Sequence, residues 1–280
     1  MPFKRHHIIS ILILSLGAFT SGCSSVFYQP NPILYVNPSK LPIVPEELDI
    51  PARDGHQIPA WYFKSPEKKS KGILIHFHGN AQNMSTHFMF LASAPTHGYD
   101  HLIFDYRGYG KSKGIPNPKN TVEDGVDVLK WVKKRFPDLP RIVFAQSLGG
   151  AVALKALSEA PTEVLPDALV IDSSFVSYRS AARYILGGHA LTWLLQPLGW
   201  LIVDNSMAPD GQLKNLPSIP TLVIHGTDDS VISYSQGKKV FQQAPRPTQF
   251  WKVPQGRHTE FMARKKFRTE FYAFLDRLFL

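Results

Sequence analysis

The sequence predicts an α/β fold, a mostly parallel central sheet with helices on both faces. Two observations carry that prediction: apolar runs of strand length recur along the chain, and segments of helical periodicity separate them. A third supports it, since 280 residues with 44% hydrophobic and 19% charged side chains can bury a substantial core. The opening runs at 48–50 and 58–63, separated by Arg53-Asp54-Gly55, read as an antiparallel hairpin. Buried strands are expected at 72–77, 101–105, 141–145 and 168–172, then at 221–225 and 249–253. The clearest helix is expected to begin at Thr121, where Asp124 three residues on makes a capping pattern. Val122, Val126, Leu129 and Val132 then mark one face at helical spacing. Residues 148–160 and 261–280 are the other expected helices. Between 175 and 218 the pattern breaks into an insertion rich in Tyr184, Ile185, Leu191, Trp193, Leu194, Leu195, Leu198, Trp200 and Leu201. Gly187-Gly188, Pro197 and Gly199 interrupt it too often for a bilayer span. A pair of helices packed over the core and a lid lining a substrate pocket are both open readings.

Composition excludes several classes. The 23 prolines and 19 glycines follow no short repeat, which removes collagen, coiled coils and repeat arrays. One cysteine cannot form an internal disulfide or a cysteine-based zinc site. Its position is informative. Residues 1–22 read as an export signal, with Lys4 and Arg5 in a basic start and residues 8–19 forming an apolar stretch that no acidic residue interrupts. Thr20-Ser21-Gly22-Cys23 resembles the lipobox of bacterial lipoproteins, in which the cysteine is acylated and becomes the first mature residue. Lipid on Cys23 implies attachment to a membrane surface, and Ser24 after it implies, by resemblance to enterobacterial sorting, the outer membrane of the cell envelope. An uncleaved signal anchor and an ordinary signal peptide with an incidental cysteine are the alternatives.

Processing would remove Lys4 and Arg5 and lower the net charge from +9 to +7. Residues 23–45 read as a tether, because Pro30, Pro32, Pro38, Pro42 and Pro45 forbid continuous helix. Its apolar members Ile33, Leu34, Tyr35 and Val36 lead us to expect that part of it packs on the surface of the domain that occupies 46–280. The positive charge is dispersed or gathered on helix surfaces, as at Lys130, Lys133, Lys134 and Arg135. With no stacking platform or DNA-binding motif beside it, it points to an anionic envelope surface and not to nucleic acid.

The chemistry centres on Ala145-Gln146-Ser147-Leu148-Gly149-Gly150, a strand running through a sharp turn into a helix with a serine at the tip. Such an elbow needs small residues two before and two after the serine, because strand and helix backbones approach closely there. Ala145 and Gly149 meet the requirement. The helix that follows aims its first amides at any anion that develops beside the serine.

With these residues the sequence resembles the alpha/beta-hydrolase-fold serine hydrolases, over about 46–280. His76-Phe77-His78-Gly79-Asn80-Ala81 is similar to that family's HGN segment, which implies an oxyanion hole of the Asn80 and Leu148 backbone N–H groups. Asp105-Tyr-Arg-Gly-Tyr-Gly-Lys-Ser112 resembles a structural loop at the rim of the site in one branch. It is not a phosphate-binding loop, which needs glycine at position 105. His225-Gly-Thr-Asp-Asp-Ser-Val-Ile232 resembles the family's acid turn, which implies Asp229 as the triad carboxylate, with Asp228 the runner-up and Asp172 a third candidate. Pro254-Gln-Gly-Arg-His258 implies His258 as the base.

The implied activity is hydrolysis of a carboxylic ester or thioester through an acyl-Ser147 intermediate, with no cofactor. Peptide or amide hydrolysis on the same fold is the second reading, and a non-catalytic binding lipoprotein the third. His225 is expected to brace the acid loop, and His87, His97, His101 and His189 to be surface or packing residues. The pair His76-x-His78 lacks the further Asp and His that a hydrolytic metal site would add, so no metal is expected.

Overall fold

The computed structural model describes residues 27–188, 194 and 196–279. An eight-stranded sheet runs in the spatial order β1 (Glu46–Pro51), β2 (Gln57–Phe63), β4 (Tyr99–Phe104), β3 (Gly72–Phe77), β5 (Arg141–Gln146), β6 (Ala168–Asp172), β7 (Thr221–Gly226) and β8 (Thr248–Val253). β2 pairs antiparallel with both β1 and β4, and every other pairing is parallel. The expected hairpin forms with a turn at Arg53-Asp54-Gly55, closed by Ala52 N–H donating to His56 O at 2.8 Å. Each expected strand is present, with bounds shifted by up to two residues.

Alternate residues of the parallel strands enter opposite cores, which explains why these runs are apolar throughout. Ile73, Ile75, Phe77, Val143 and Ile171 face one layer, where they meet α2 (Pro118–Arg135) and α3 (Leu148–Glu159). Leu74, Phe144, Val170, Leu222 and Ile224 face the other, where Phe271, Phe274 and Leu275 of α7 (Lys265–Phe279) cover them. The remaining helices are α1 (Met84–His87), α4 (Tyr178–Gly187), α5 (Gln196–Ile202) and α6 (Tyr234–Gln243). After β3 the chain builds β4 on one side, then crosses to β5 on the other. The carboxyl ends of β3 and β5 therefore form the topological switch point, the position at which ligands bind in open α/β sheets.

Two helix starts differ from expectation. α2 begins at Pro118, not Thr121, because Asn117 caps it. The Asn117 side chain accepts from Asn120 N–H, the Asn120 side chain accepts from Asn117 N–H, and Pro118 has no N–H to leave unpaired. Asp124, expected to cap, is instead fully buried and receives Arg107 through its backbone N–H and guanidinium. At the other end, Phe261–Ala263 forms a separate 3-10 turn and α7 starts at Lys265. Arg264 breaks the helix and donates its guanidinium to Pro254 O at 2.6 Å and Gln255 O at 2.8 Å.

The proline-rich segment lies against the domain from its first described residue. Phe27 and Tyr28 are buried, with the Phe27 ring 5.1 Å from that of Tyr178 and edge-on to it. Of its apolar members Val36 packs against the Trp61 cluster, whereas Ile33, Leu34 and Tyr35 stand exposed. Here the backbone is held instead of the side chains, because Asn83 Nδ2 donates to both Asn31 O and Ile33 O at 2.7 Å.

The insertion at 175–218 contains α4, α5 and a 3-10 turn at Leu213–Asn215. α4 buries Tyr178, Ala181 and Ala182, and Arg179 Nε ties it to Val203 O at 2.9 Å. His189, Leu191, Trp193 and Leu195 lie outside the described residues, as do the side chains of Leu198 and Leu201. The expected export signal and the lipid site at Cys23 also fall outside them.

Candidate active site

Ser147 leaves β5 with φ 52° and ψ −120°, a conformation non-glycine residues seldom adopt. Three hydrogen bonds hold it there. Its N–H donates to Asp172 O at 2.9 Å, and its carbonyl accepts from Gly150 N–H at 3.0 Å and Ser174 Oγ at 2.7 Å. Gly149 is required for the elbow, since a Cβ there would run into the Phe77 and His78 carbonyls. The side chain is half-buried at the carboxyl end of the sheet.

The loop after β3 passes against this elbow. A Cβ added at Gly79 would lie 3.6 Å from Ser147 Cβ, in van der Waals contact, so the loop backbone runs directly beside the serine. Leu148 N–H, the first amide of α3, has no intrahelical acceptor. Asn80 contributes a feature that motif reading did not reveal: its Oδ1 accepts from Gln29 N–H at 2.7 Å, Ala81 N–H at 2.8 Å and Tyr109 OH at 3.1 Å. One side chain thereby joins the glycine loop, the N-terminal segment and the loop after β4.

His258 Nδ1–H donates to Asp229 Oδ2 at 2.8 Å, leaving Nε2 free for a proton from another group. Asp229 Oδ1 accepts from Val231 N–H at 2.9 Å and Ile232 N–H at 2.8 Å. Burial pushes the Asp229 carboxyl upward. Hydrogen bonds from His225 and His258, the His258 charge and the Ile232 amide outweigh it and hold the group well below the usual carboxylate range. His225 Nε2 lies 2.9 Å from Ile232 O and 3.3 Å from Asp229 Oδ2, so it braces the acid turn.

The other carboxylates have different surroundings. Asp228 is exposed and accepts from Thr227 Oγ1 at 2.8 Å. Asp172 is fully buried, and burial pushes its carboxyl up to about 6 against hydrogen bonds from Ser173 and Gln146. It closes a buried chain of donors. His101 Nε2 lies 3.3 Å from His76 Nδ1, His76 Nε2 lies 3.0 Å from Gln146 Oε1, and Gln146 Nε2 donates to Asp172 Oδ2 at 3.3 Å. From the other side Ser173 Oγ donates to Asp172 Oδ1 at 2.9 Å and accepts from Thr259 N–H at 3.1 Å, which anchors the residue after His258. His101 is accordingly a core residue, and burial lowers it to about 3. His87 flanks the glycine loop, its Nε2 3.2 Å from Ala81 O, and burial lowers it to about 3 as well. Among the described residues no group of three or more His, Cys, Asp or Glu is placed to hold a metal ion.

The sequence profile described as serine aminopeptidase, S33, matches residues 68–217, more than half of the chain. This chain belongs to that family of alpha/beta hydrolases. The Escherichia coli K12 protein YfhR, itself uncharacterized, is 31% identical over 239 residues, spanning 84% of this chain and 79% of that one. Lysophosphatidylserine lipase ABHD12 of Danio rerio is 30% identical over 200 residues, 66% of this chain and 50% of that protein. Among solved structures, the Pyrococcus furiosus esterase Pf2001 superposes with a TM-score of 0.69 at 20% identity, covering 90% of this chain and 97% of that one. A thermostable carboxyl esterase from Bacillus coagulans gives 0.63 at 18% identity, with 84% and 99% covered.

Proposed function

We propose that the chain is a membrane-tethered serine hydrolase that cleaves a carboxylic ester or thioester through an acyl-Ser147 intermediate. The observation that carries this reading is the 2.8 Å pairing of His258 Nδ1–H with the low-pKa carboxylate of Asp229, at the same carboxyl end of the sheet as the strained serine. Ser147 Oγ attacks the acyl carbon as its proton passes to His258 Nε2. The carbonyl oxygen becomes an oxyanion and accepts from the Asn80 and Leu148 N–H groups. Collapse breaks the bond to the leaving oxygen or sulfur, which takes the proton from His258. Water then attacks the acyl-serine, giving its proton to His258. The second collapse releases the acid and returns the proton to Ser147. Asp229 fixes the tautomer and stabilises the imidazolium throughout. The insertion supports an acyl or aromatic substrate portion, since Tyr184 OH of α4 donates to Asp229 O at 3.2 Å and so brings that helix over the acid turn.

Fluorophosphonate labelling is expected to appear in the wild type and disappear in Ser147→Ala. Labelling that survives the substitution overturns the assignment. The family profile's description as an aminopeptidase favours amide hydrolysis as a second reading. A panel of acyl esters, thioesters and aminoacyl amides separates the two. The membrane part of the proposal rests on residues 8–23, and it expects Cys23→Ser to abolish incorporation of labelled palmitate and shift the protein out of the envelope membrane.

A further inference from the structure

We infer that the carboxyl-end face of the sheet, where the candidate site opens, seats on a lipid bilayer, so that the site receives acyl esters directly from the membrane. The inference rests on the membrane attachment proposed above, and chain length decides the orientation. Cys23 precedes Phe27 by four residues, and an extended chain reaches at most about 3.6 Å per residue, or roughly 14 Å here. A domain of this length has a radius of gyration of about 18 Å, so that leash cannot reach the amino-end face of the sheet. If residues 8–19 stay in the membrane as an uncleaved anchor, the leash is eight residues and still under about 30 Å.

The leash leaves the domain beside the candidate site. Tyr28 OH lies 3.1 Å from Thr121 Oγ1 and 3.2 Å from Tyr178 OH, and Gln29 N–H donates to Asn80 Oδ1, on the residue whose amide faces Ser147 in the proposed mechanism. Phe27 packs on Phe175, one residue beyond Ser174, which itself holds the Ser147 carbonyl.

The exposed apolar side chains are distributed to match. Ile33 at 57%, Leu34 at 45% and Tyr35 at 42% exposure stand beside the glycine loop, and Trp200 at 51% and Ile202 at 48% stand on α5. Val231, 43% exposed, lies in the acid turn. The amino-end loops at 64–71, 136–140, 160–167, 216–220 and 244–247 contribute no exposed large apolar side chain, and Val44 before β1 is the exception on that side. Trp200 lies under the Arg179 guanidinium at 5.5 Å, a pairing suited to the headgroup layer. Exposed Lys113, Lys119 and Arg183, against Asp204 and Asp228, add attraction to anionic lipid.

The test uses the full chain, in which acylation of Cys23 leaves no other thiol, reconstituted in phosphatidylethanolamine–phosphatidylglycerol vesicles. A polarity-sensitive fluorophore is placed on Leu34→Cys, Trp200→Cys or, on the opposite face, Lys68→Cys. Spin-labelled lipid is expected to quench positions 34 and 200 about threefold more than position 68, as residues at an apolar interface would be. In the double variant Leu34→Glu/Trp200→Glu, turnover of a long-chain ester embedded in vesicles should fall about tenfold while a soluble short-chain ester is hydrolysed as before. A chain absent from the membrane fraction overturns the tether and this inference together. A chain that is membrane-bound and active on the soluble ester, yet quenched alike at all three positions, overturns the orientation alone. Equal losses on both esters in the double variant also count against it.

Discussion

Asp228 and Asp229 are neighbours in the chain with opposite surroundings: Asp228 is exposed beside Thr227, whereas Asp229 is buried between two backbone amides and two imidazoles. Asp229→Asn replaces an acceptor with a donor facing His258 Nδ1, which favours the wrong tautomer. In a Ser-His-Asp arrangement that exchange costs about 10⁴ in kcat. Steady-state kinetics on a soluble ester should show a loss of about that size for Asp229→Asn and a change of less than about twofold for Asp228→Asn. If the two results were exchanged, the carboxylate has been misassigned. Gly149 gives a stability prediction at the same scale. Gly149→Ala drives a methyl into two carbonyls of the β3 end, which backbone can relieve only by shifting. A loss of about 2 kcal/mol is expected, or about 4–8 °C in Tm for a domain this size, and a thermal melt measures it.

The N-terminal segment and the loop after β3 act as one element, because Asn80 Oδ1 collects donors from both and from Tyr109. Asn80→Ala removes that acceptor while keeping the backbone N–H. The expected result is a kcat about tenfold lower with KM little changed, since the side chain positions an amide that meets charge only in the transition state. A KM effect with unchanged kcat would assign Asn80 to ground-state binding instead. This junction was not legible in the sequence. Five prolines correctly excluded a helix, but periodicity carries no information about which distant surface receives Phe27 and Tyr28. The strands were legible because continuous apolar runs such as Ile73-Leu74-Ile75 have two cores to fill, and the elbow because its small residues are sterically required. The start of α2 was misread because Thr121/Asp124 and Asn117/Asn120 offer the same capping spacing, and only the ion pair from Arg107 removes Asp124 from that role. Likewise nothing in local sequence marks Ser173 as the anchor of the histidine loop.

At the scale of the whole molecule, the polar groups buried beneath the site set the response to acid. Burial lowers His76 well below the ordinary imidazole range and lowers His87 and His101 to about 3, so all three stay neutral in the folded chain at a pH where a free imidazole already takes up a proton. Their unfolded counterparts protonate near pH 6.5. Below that value the unfolded state binds more protons, and stability falls with falling pH. Asp172 works in the opposite direction: burial raises it to about 6, so between about pH 4 and 6 the folded state is the one that holds its proton. Three histidines against one carboxylate leave a net uptake of about two protons on unfolding in that window, a slope on the order of 2–3 kcal/mol per pH unit. Asp229, held low in the folded chain, adds to the loss only below about pH 4, where its unfolded counterpart protonates. Between about pH 6.5 and 4 the accumulated loss is on the order of 5 kcal/mol, a third or more of the roughly 5–15 kcal/mol by which domains of this kind are stable. Urea midpoints at pH 7, 6 and 5 should decline progressively, and Asp172→Asn, which removes the opposing group, should steepen the decline between pH 6 and 5. A flat profile there would mean that the folded chain takes up as many protons as the unfolded one, with the buried histidines charging in that range without the fold opening.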